Sequence, residues 1–435
     1  MVNKILKTLN IAALNDMQLA SIEANRKNND TILLSPTGSG KTLAFLIPVL
    51  QHLNKEKSNV QALILAPSRE LALQIEQVFK SMNTGFKVNC CYGGHLMKVE
   101  RKNLSEPPAV LIGTPGRILD HLTRETFSPD DIHTLVLDEF DKSLDLGFQD
   151  EMSRIIEKIP SIKRRILTSA TAAVEIPEFT GVKNPITLNY LPEESVLQGL
   201  TFNVVKSDDR DKLYVLFRLL CYLKGEPTLV FCNHRDAAQR VSDYLNDNQI
   251  PNAFFHGGLE QHVRERALTK FRNGSCNLLV CTDLASRGLD IPEIKHIVHY
   301  HLPLNEEAYI HRNGRTARMN AKGNCYLILN GEETIPTYIT EEPIYISLPE
   351  KDVLPPKPLW GTLYIGKGKK DKLNKVDIVG FLTQKGNLKK EEIGLIEVKD
   401  FFAFVAVKRG KISNVLHEIR DQKIKNMKTK IEGSE

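Results

Sequence analysis

What the chain lacks narrows it first. No uncharged apolar run in its 435 residues approaches the ~18 that a membrane-spanning helix needs, so no membrane partner is expected. Residues 1–10 have neither the apolar core nor the small-residue cleavage site of a secretory signal. The seven cysteines follow no ligand spacing such as Cys-x-x-Cys, and Cys90 and Cys91 are adjacent in a strand-like stretch. They are expected to be reduced packing residues of a cytoplasmic protein without a structural metal. There is no short-period repeat and no long low-complexity segment. With 41% apolar and 26% charged residues, the composition is ordinary for a globular chain of two or three domains.

Positive charge is scarce until the end. Of 58 Lys/Arg and 53 Asp/Glu, the last 79 residues hold 18 and 10, leaving 40 and 43 for residues 1–356. The net charge of +5 therefore belongs to a basic tail. A compact module of that kind is an electrostatic footprint for nucleic acid.

The first chemistry lies in Ser35-Pro36-Thr37-Gly38-Ser39-Gly40-Lys41-Thr42. An apolar run precedes it and an apolar-periodic stretch follows, which reads as strand, phosphate loop, helix. Two glycines let the backbone curl so that N–H groups point at phosphate oxygens. Lys41 is expected to reach the β/γ-phosphates and the Thr42 hydroxyl to hold Mg²⁺. Ser35 stands where the strict pattern has its first Gly. Further on, a buried-strand pattern at 133–137 ends in Asp138-Glu139-Phe140-Asp141. Carboxylates at a strand's C-terminal end sit where α/β sheets bind ligands. Asp138 is the candidate Mg²⁺ ligand, and Glu139 the candidate that activates water against the γ-phosphate.

Strand patterns at 60–66, 109–113 and 134–138 alternate with helical ones at 69–82 and 116–122, which implies a helix-covered parallel sheet. Residues 190–206 show little periodicity and read as a linker. The alternation then restarts, with strands at 227–232, 253–256 and 276–282 and a helix at 236–245. Two clusters in this second part carry chemistry. His311-Arg312-Asn313-Gly314-Arg315-Thr316-Ala317-Arg318 places Arg315 and Arg318 three apart, on one face of an expected helix. They are candidate arginine fingers that spread transition-state charge. The segment 282–290, Thr282-Asp283-Leu284-Ala285-Ser286-Arg287-Gly288-Leu289-Asp290, follows another apolar strand. Pro343, Pro349, Pro355, Pro356 and Pro358 then mark a stiff, extended connector.

As an ordered set, these motifs resemble those of the DEAD-box RNA helicases of superfamily 2, over roughly residues 1–345. The resemblance implies an α/β fold of two tandem RecA-like parallel-sheet domains, with ATP and Mg²⁺ as cofactors and RNA as partner. Residues 1–195 would be the ATP-binding domain, 206–345 the second helicase domain and 346–358 a Pro-rich linker. Gln18 resembles the glutamine that reads adenine. Ser35, Pro36, Thr37, Gly38, Ser39, Gly40, Lys41 and Thr42, with Gly288 and Asp290, would hold the nucleotide. Pro67 and Arg69, Gly93 and Gly94, and Thr114 and Arg117 resemble motifs that grip the RNA backbone. Arg235, Gln261, Arg264, Thr282 and Asp283 would do so from the second domain. Ser169 and Thr171, around Ala170, resemble the motif coupling hydrolysis to strand separation. Four features depart from the pattern: Phe140 replaces alanine, Leu14-Asn15 replaces Pro-Thr, Asn313 and Ala317 replace an apolar residue and Gly, and His301 stands where many members carry Asp.

Residues 359–435 read as a small α+β module. Phe402 and Phe404, in a run that resembles part of the RNP1 pattern of RRM domains, share one strand face, where they would either stack bases or pack a core. As a whole the module is similar to the RNA-binding domain of DbpA-type bacterial helicases, which implies a structured ribosomal RNA hairpin as target. The related cold-shock group, with broader targets, is the alternative. The expected function is an ATP-dependent RNA helicase, a monomer, that separates short duplexes during large-subunit assembly; an ATP-gated RNA clamp that does not unwind is a further alternative.

Overall fold

A computed structural model describes residues 2–27, 30–36, 38–94, 97–171, 176–191, 199–286, 294–316 and 323–434. Among them, those up to residue 191 form one compact unit and those from 199 onward a second.

The first unit opens with helices α1 (Val2–Leu9) and α2 (Asp16–Lys27). Strands and helices then alternate: β1 (Asp30–Leu34), α3 (Lys41–Gln51), β2 (Ala62–Leu65), α4 (Arg69–Ser81), β3 (Val88–Cys91), α5 (Met97–Leu104), β4 (Val110–Gly113) and α6 (Pro115–Thr123). β5 (Thr134–Leu137), α7 (Phe140–Asp145), α8 (Gln149–Glu157), β6 (Arg164–Ser169) and β7 (Ile186–Asn189) complete it. The sheet is parallel, in the order β3-β4-β2-β5-β6-β1-β7. The inner strands β2 and β4 are apolar throughout because crossover helices cover both faces. In β2, Ala62 and Ile64 join the core containing Phe45 and Ile75, while Leu63 and Leu65 join the core containing Leu135 and Ile155. Each such Leu, Ile or Phe contributes about 1.5–3 kcal/mol by its burial.

The second unit repeats the scheme with β8 (Leu200–Lys206), α9 (Leu213–Tyr222), β9 (Thr228–Phe231), α10 (Arg235–Asp247), β10 (Ala253–Phe255) and α11 (Gln261–Arg272). β11 (Leu278–Cys281), β12 (His296–His299), α12 (Glu306–Asn313), β13 (Gly323–Leu329) and β14 (Ile344–Tyr345) follow. Its parallel order is β10-β11-β9-β12-β13-β8-β14. Counted from its own first strand, that is the order of the first sheet, although no short-period repeat is visible in the sequence.

Two expectations need correction. Residues 200–206 are not linker but β8, hydrogen-bonded between β13 and β14, with Val204 and Val205 buried. The linker reading of 192–198 lies outside the described residues. The helix expected to carry Arg315 and Arg318 ends at Asn313. Arg315 lies in the following turn, and Thr316 leaves helical geometry to bridge Ile294; Arg318 is outside the described residues.

The proline-rich connector is extended but strapped to the second unit. The Ile346 N–H donates to the Val204 carbonyl at 2.9 Å, and Ile346 and Leu348 pack on the core beneath. The module that follows comprises β15 (Trp360–Ile365), α13 (Lys375–Gln384), β16 (Ile393–Val398), β17 (Ala403–Lys408), α14 (Ile412–Glu418) and β18 (Ile431–Gly433). Its antiparallel sheet runs β16-β17-β15-β18. One face, with Leu363, Val405 and Val407, packs with Ile378 of α13 and Val415 of α14. The other face is also covered, at its Trp360 end. The Asn273 amide donates to Thr362 Oγ1 at 2.8 Å, the Ser275 and Thr362 hydroxyls are 2.6 Å apart, and Arg272 pairs with Glu397 at 3.3 Å. Phe404 is buried on this face among Tyr364 and Phe402, with ring centroids 5.4–5.9 Å apart. Packing therefore claims Phe404, not an open stacking platform.

Arg409 ties the module down. Its Nη2 donates to the carbonyls of Ser275 and Trp360, at 2.9 and 2.8 Å, and its Nε to that of Pro358 at 2.8 Å. Arg409→Ala leaves these carbonyls without their charged donor, a loss of about 1.5–3 kcal/mol per such bond. Limited proteolysis of the full chain is expected to cut the 351–358 segment several-fold faster in this variant, while the fragments stay folded.

Candidate nucleotide and RNA sites

The phosphate loop leaves the carboxyl end of β1, where the Ser35 N–H donates to the Ser169 carbonyl of β6 at 3.1 Å. Gly40 caps α3 with φ +91°, a left-handed conformation that a side chain adopts only with strain. A Cβ there would also lie 2.6 Å from Gln18 Nε2. Gln18 and Asn15 brace the loop. Each side-chain oxygen accepts from the other's backbone N–H, at 3.0 and 2.9 Å, a reciprocal cap on α2. Gln18 Nε2 then donates to the Gly40 carbonyl at 3.2 Å, and Asn15 Nδ2 to the Ser39 carbonyl at 3.0 Å. Ser35, where a Gly is usual, closes the loop through its hydroxyl, 3.0 Å from that of Ser39. Lys41 donates to the Ser35 carbonyl at 2.6 Å. A helix N-terminus, a lysine and inward backbone suit a polyphosphate. Thr37 lies outside the described residues; Pro36, Gly38 and Thr42 line the same turn.

The acidic end of β5 lies on a strand one removed from β1, with β6 between them. Asp138 is buried, and Thr168 Oγ1 donates to it at 2.5 Å while accepting the Glu139 N–H at 3.1 Å. Burial pushes the Asp138 carboxyl above its ordinary range, against the pull of Thr168 and Lys41. Glu139 is held at φ 47°, ψ 55°. For a non-glycine residue such a conformation costs on the order of 1–3 kcal/mol and is typical of functional positions. Asp141 accepts from the Ala170 N–H and from Thr171 Oγ1, each at 3.4 Å. Ser169 Oγ donates to the Thr171 carbonyl at 2.8 Å. The ends of β5 and β6 thus form one hydrogen-bonded ridge.

At the other side of the first sheet, Pro67 and Arg69 follow β2, Gly93 and Gly94 follow β3, and Thr114 and Arg117 follow β4. The Arg69 guanidinium lies so close to Gly93 that an added Cβ would be 3.1 Å from it. The second unit repeats this: Arg235 follows β9, and its guanidinium would be 3.6 Å from a Cβ on Gly257, after β10. Gly257 and Gly258 were not singled out in the sequence; only the shared strand order exposes them as counterparts of Gly93 and Gly94. Arg264 is buried, with Nη2 donating to Gln261 Oε1 at 2.5 Å. Asp283 directs its carboxylate at Arg312, whose Nε and Nη2 donate to it at 2.5 and 3.0 Å. Thr282 precedes it at the end of β11, while Gly288 and Asp290 lie outside the described residues.

Three family models match in sequence: DEAD/DEAH box helicase at 15–179, helicase conserved C-terminal domain at 211–320, and DbpA RNA binding domain at 362–433. The chain is 32% identical to the ATP-dependent RNA helicase DbpA of Escherichia coli, over 97% of this chain and 94% of that one. The chain belongs to the DbpA-type DEAD-box RNA helicases. It is also 29% identical to DbpA of Bacillus subtilis, over 95% of this chain and 93% of that one. A structure of S. cerevisiae Dbp5 bound to RNA and ADP BeF3 superposes with a TM-score of 0.69 at 26% identity, covering 79% of this chain and 93% of that one. The chain is accordingly an ATP-dependent RNA helicase with two RecA-like domains and an RNA-binding module.

Its departures from the DEAD-box pattern have local explanations. Phe140 is buried in the same apolar core as Leu137. Asn313 belongs to a buried polar cluster that a DbpA-type sequence alone does not reveal. Arg312, fully buried, also donates to Asn233 Oδ1 at 2.8 Å, to the His301 carbonyl at 3.0 Å and to His299 Nδ1 at 3.4 Å. With Nδ1 accepting, His299 Nε2 carries the proton and donates to Asn313 Oδ1 at 3.2 Å. His301 accepts the Asn233 N–H at 3.2 Å. Thr168 and His299 have no motif-level signal of their own; each is legible only as a polar residue at the end of an apolar strand, while Arg312 stands out in the 311–318 cluster but without its partners.

Both histidines are held neutral. Burial first, then Arg312, pushes His299 down to about 3, and burial pushes His301 down to about 4. The unfolded chain takes up these protons near 6.5, so the stability they confer is whole above that pH and is lost as pH falls toward about 4 and then 3. Unfolding of the second unit should therefore become easier between neutral pH and about pH 4.5, and His299→Gln should flatten that dependence. Denaturant midpoints against pH, read by hydrogen exchange at β12, test this.

Proposed function

We propose that the helicase separates short duplexes of ribosomal RNA locally, during large-subunit assembly. The observation that carries this reading is the joining of two RecA-like domains to a DbpA-type module whose basic surface is left open. Lys369, Lys370, Lys372 and Lys375, and Lys423, Lys425, Lys428 and Lys430, are exposed and lie near the Ile365 end of β15, away from the Thr362 contact. This end, not the Phe402–Phe404 face, is the proposed RNA contact, acting chiefly through phosphates. The proposal takes the protein to act as a monomer in the cytoplasm, where its buried thiols stay reduced.

In the ATP site, Lys41 and the amides of the Gly38–Gly40 turn are assigned to the phosphates and Gln18 to adenine. The Thr42 hydroxyl and the Asp138 carboxylate are oxygen donors of the kind a hard divalent cation takes, and Mg²⁺ held by them would neutralise phosphate charge. Glu139 is assigned to orient and activate water. Ser169 and Thr171, tied to Asp141, pass the state of this end to the RNA face. Arg315 and Arg318 are assigned to transition-state charge. Pro67, Arg69, Gly93, Gly94, Thr114 and Arg117 of the first domain, and Arg235, Gln261, Arg264, Thr282 and Asp283 of the second, form or support the RNA grip.

Glu139→Gln keeps the phosphate turn and Asp138 but weakens proton abstraction. Turnover should fall by about 10²-fold or more while ATP affinity holds, and RNA should be retained in the ATP state. Collapse of ATP affinity would remove Glu139 from this role. A chain ending at Pro356 keeps the ATP site and should retain ATPase activity at saturating generic RNA. It should need more RNA, lose preference for ribosomal fragments and show weaker salt dependence, because fewer counterions are released. Superimposable activity curves for the truncated and full chains, on ribosomal and homopolymer RNA at two salt concentrations, would remove the module from target choice.

A further inference from the structure

Behind the RNA face of the first unit lies a buried carboxylate that the proposed mechanism does not use. Glu100, on α5, is only 5% exposed. Its Oε1 accepts the Tyr92 N–H at 3.2 Å, the amide that leads into Gly93-Gly94. Its Oε2 lies 2.8 Å from His121 Nε2 on α6 and 3.4 Å from Arg117 Nε at the start of that helix. His121 is fully buried, and its Nδ1 lies 2.8 Å from Thr126 Oγ1. Cys91 approaches the same cluster, but a metal site is disfavoured. Both carboxylate oxygens and both imidazole nitrogens already have hydrogen-bond partners, and burial pushes the Cys91 thiol well up.

One carboxylate thus joins the two segments that flank the expected RNA path: the glycine turn after β3 and the helix after β4. An uncompensated carboxylate this deep would be costly, so Arg117 and His121 are drawn to it. In return the Arg117 guanidinium, 13% exposed at its side chain, is confined. A long flexible side chain fixed before RNA arrives loses less rotamer freedom on binding, and the glycine turn is fixed with it.

We infer that Glu100 is a positioning residue for RNA, acting through Arg117 and the Tyr92 amide to hold the Gly93–Gly94 and Thr114–Arg117 segments in one binding geometry. The inference rests on the reading that RNA lies along these segments. It opposes simple electrostatics, by which removing a carboxylate beside a phosphate path tightens RNA binding.

The test is RNA-stimulated ATPase of the full chain with Glu100→Gln, Arg117→Gln and the double variant. Glu100→Gln keeps volume and an acceptor for Tyr92 but lets go of Arg117. Its KM for RNA should rise about five- to tenfold, with kcat at saturating RNA and KM for ATP unchanged. The double variant should be no worse than Arg117→Gln alone, since Glu100 acts through Arg117. Thr126→Val is the control for general loosening. It removes the hydroxyl's bonds to the His121 ring and carbonyl without touching Tyr92 or Arg117, so it should lower the melting temperature and leave KM for RNA unchanged. An unchanged or lower KM in Glu100→Gln, effects that multiply in the double variant, or an equal KM rise in Thr126→Val would each overturn the inference. If RNA fails to stimulate the wild-type ATPase, the RNA-face reading itself fails and takes the inference with it.

Discussion

A parallel sheet allows no tight turn between neighbouring strands, so every strand must be followed by a crossover and all carboxyl ends open on one edge. The rest of this molecule depends on that constraint. It gathers the phosphate turn after β1, the acidic end of β5 and the Ser169–Thr171 segment of β6 in one place, although they are spread over more than a hundred residues of sequence. It also sets the segments after β2, β3 and β4 side by side on the remainder of the same edge. The proposed nucleotide site and the proposed RNA grip are therefore two halves of one sheet edge, joined by strands buried on both faces.

The same wiring occurs twice. After the second and third strands of each sheet, an arginine at a helix start lies against a glycine turn: Arg69 with Gly93, and Arg235 with Gly257. The acidic end of β5 has no carboxylate counterpart after β12, where Tyr300-His301 follows. The repeat thus keeps the arginine-against-glycine arrangement and lacks the acidic strand end. In the second sheet the buried charge is instead Arg312, satisfied by Asp283, Asn233 and a backbone carbonyl, with neutral histidines around it.

Local requirements were legible in sequence. Gly40 needs a positive φ, a phosphate needs a lysine next to a helix start, and carboxylates at the end of an apolar strand have few reasons to be there. Non-local ones were not. Leu200–Lys206 passed for a linker because its partner β13 lies more than a hundred residues onward, and nothing in seven residues announces a sheet position. A helix through Arg315 was reasonable by spacing, but the Thr316–Ile294 bridge ends it. Phe404 looked equally suited to RNA and to a core, and the choice turned on its burial among Tyr364 and Phe402, on the neighbouring strand and the turn before its own. Thr168 and Glu100 were silent because a buried polar residue is informative only when its partners are known.

The contact of Thr362 with Asn273 and Ser275 has a further consequence. A binding module on a slack tether samples a sphere, and the local concentration of its captured ligand falls with tether length. Here the tether is strapped down and the module's sheet is seated by buried hydroxyl and amide bonds, so the sphere shrinks toward a single offset. Capture then acts like a ruler. An RNA captured by the module is then held at one distance from the second helicase domain, and an RNA whose spacing does not match gains attachment without gaining engagement.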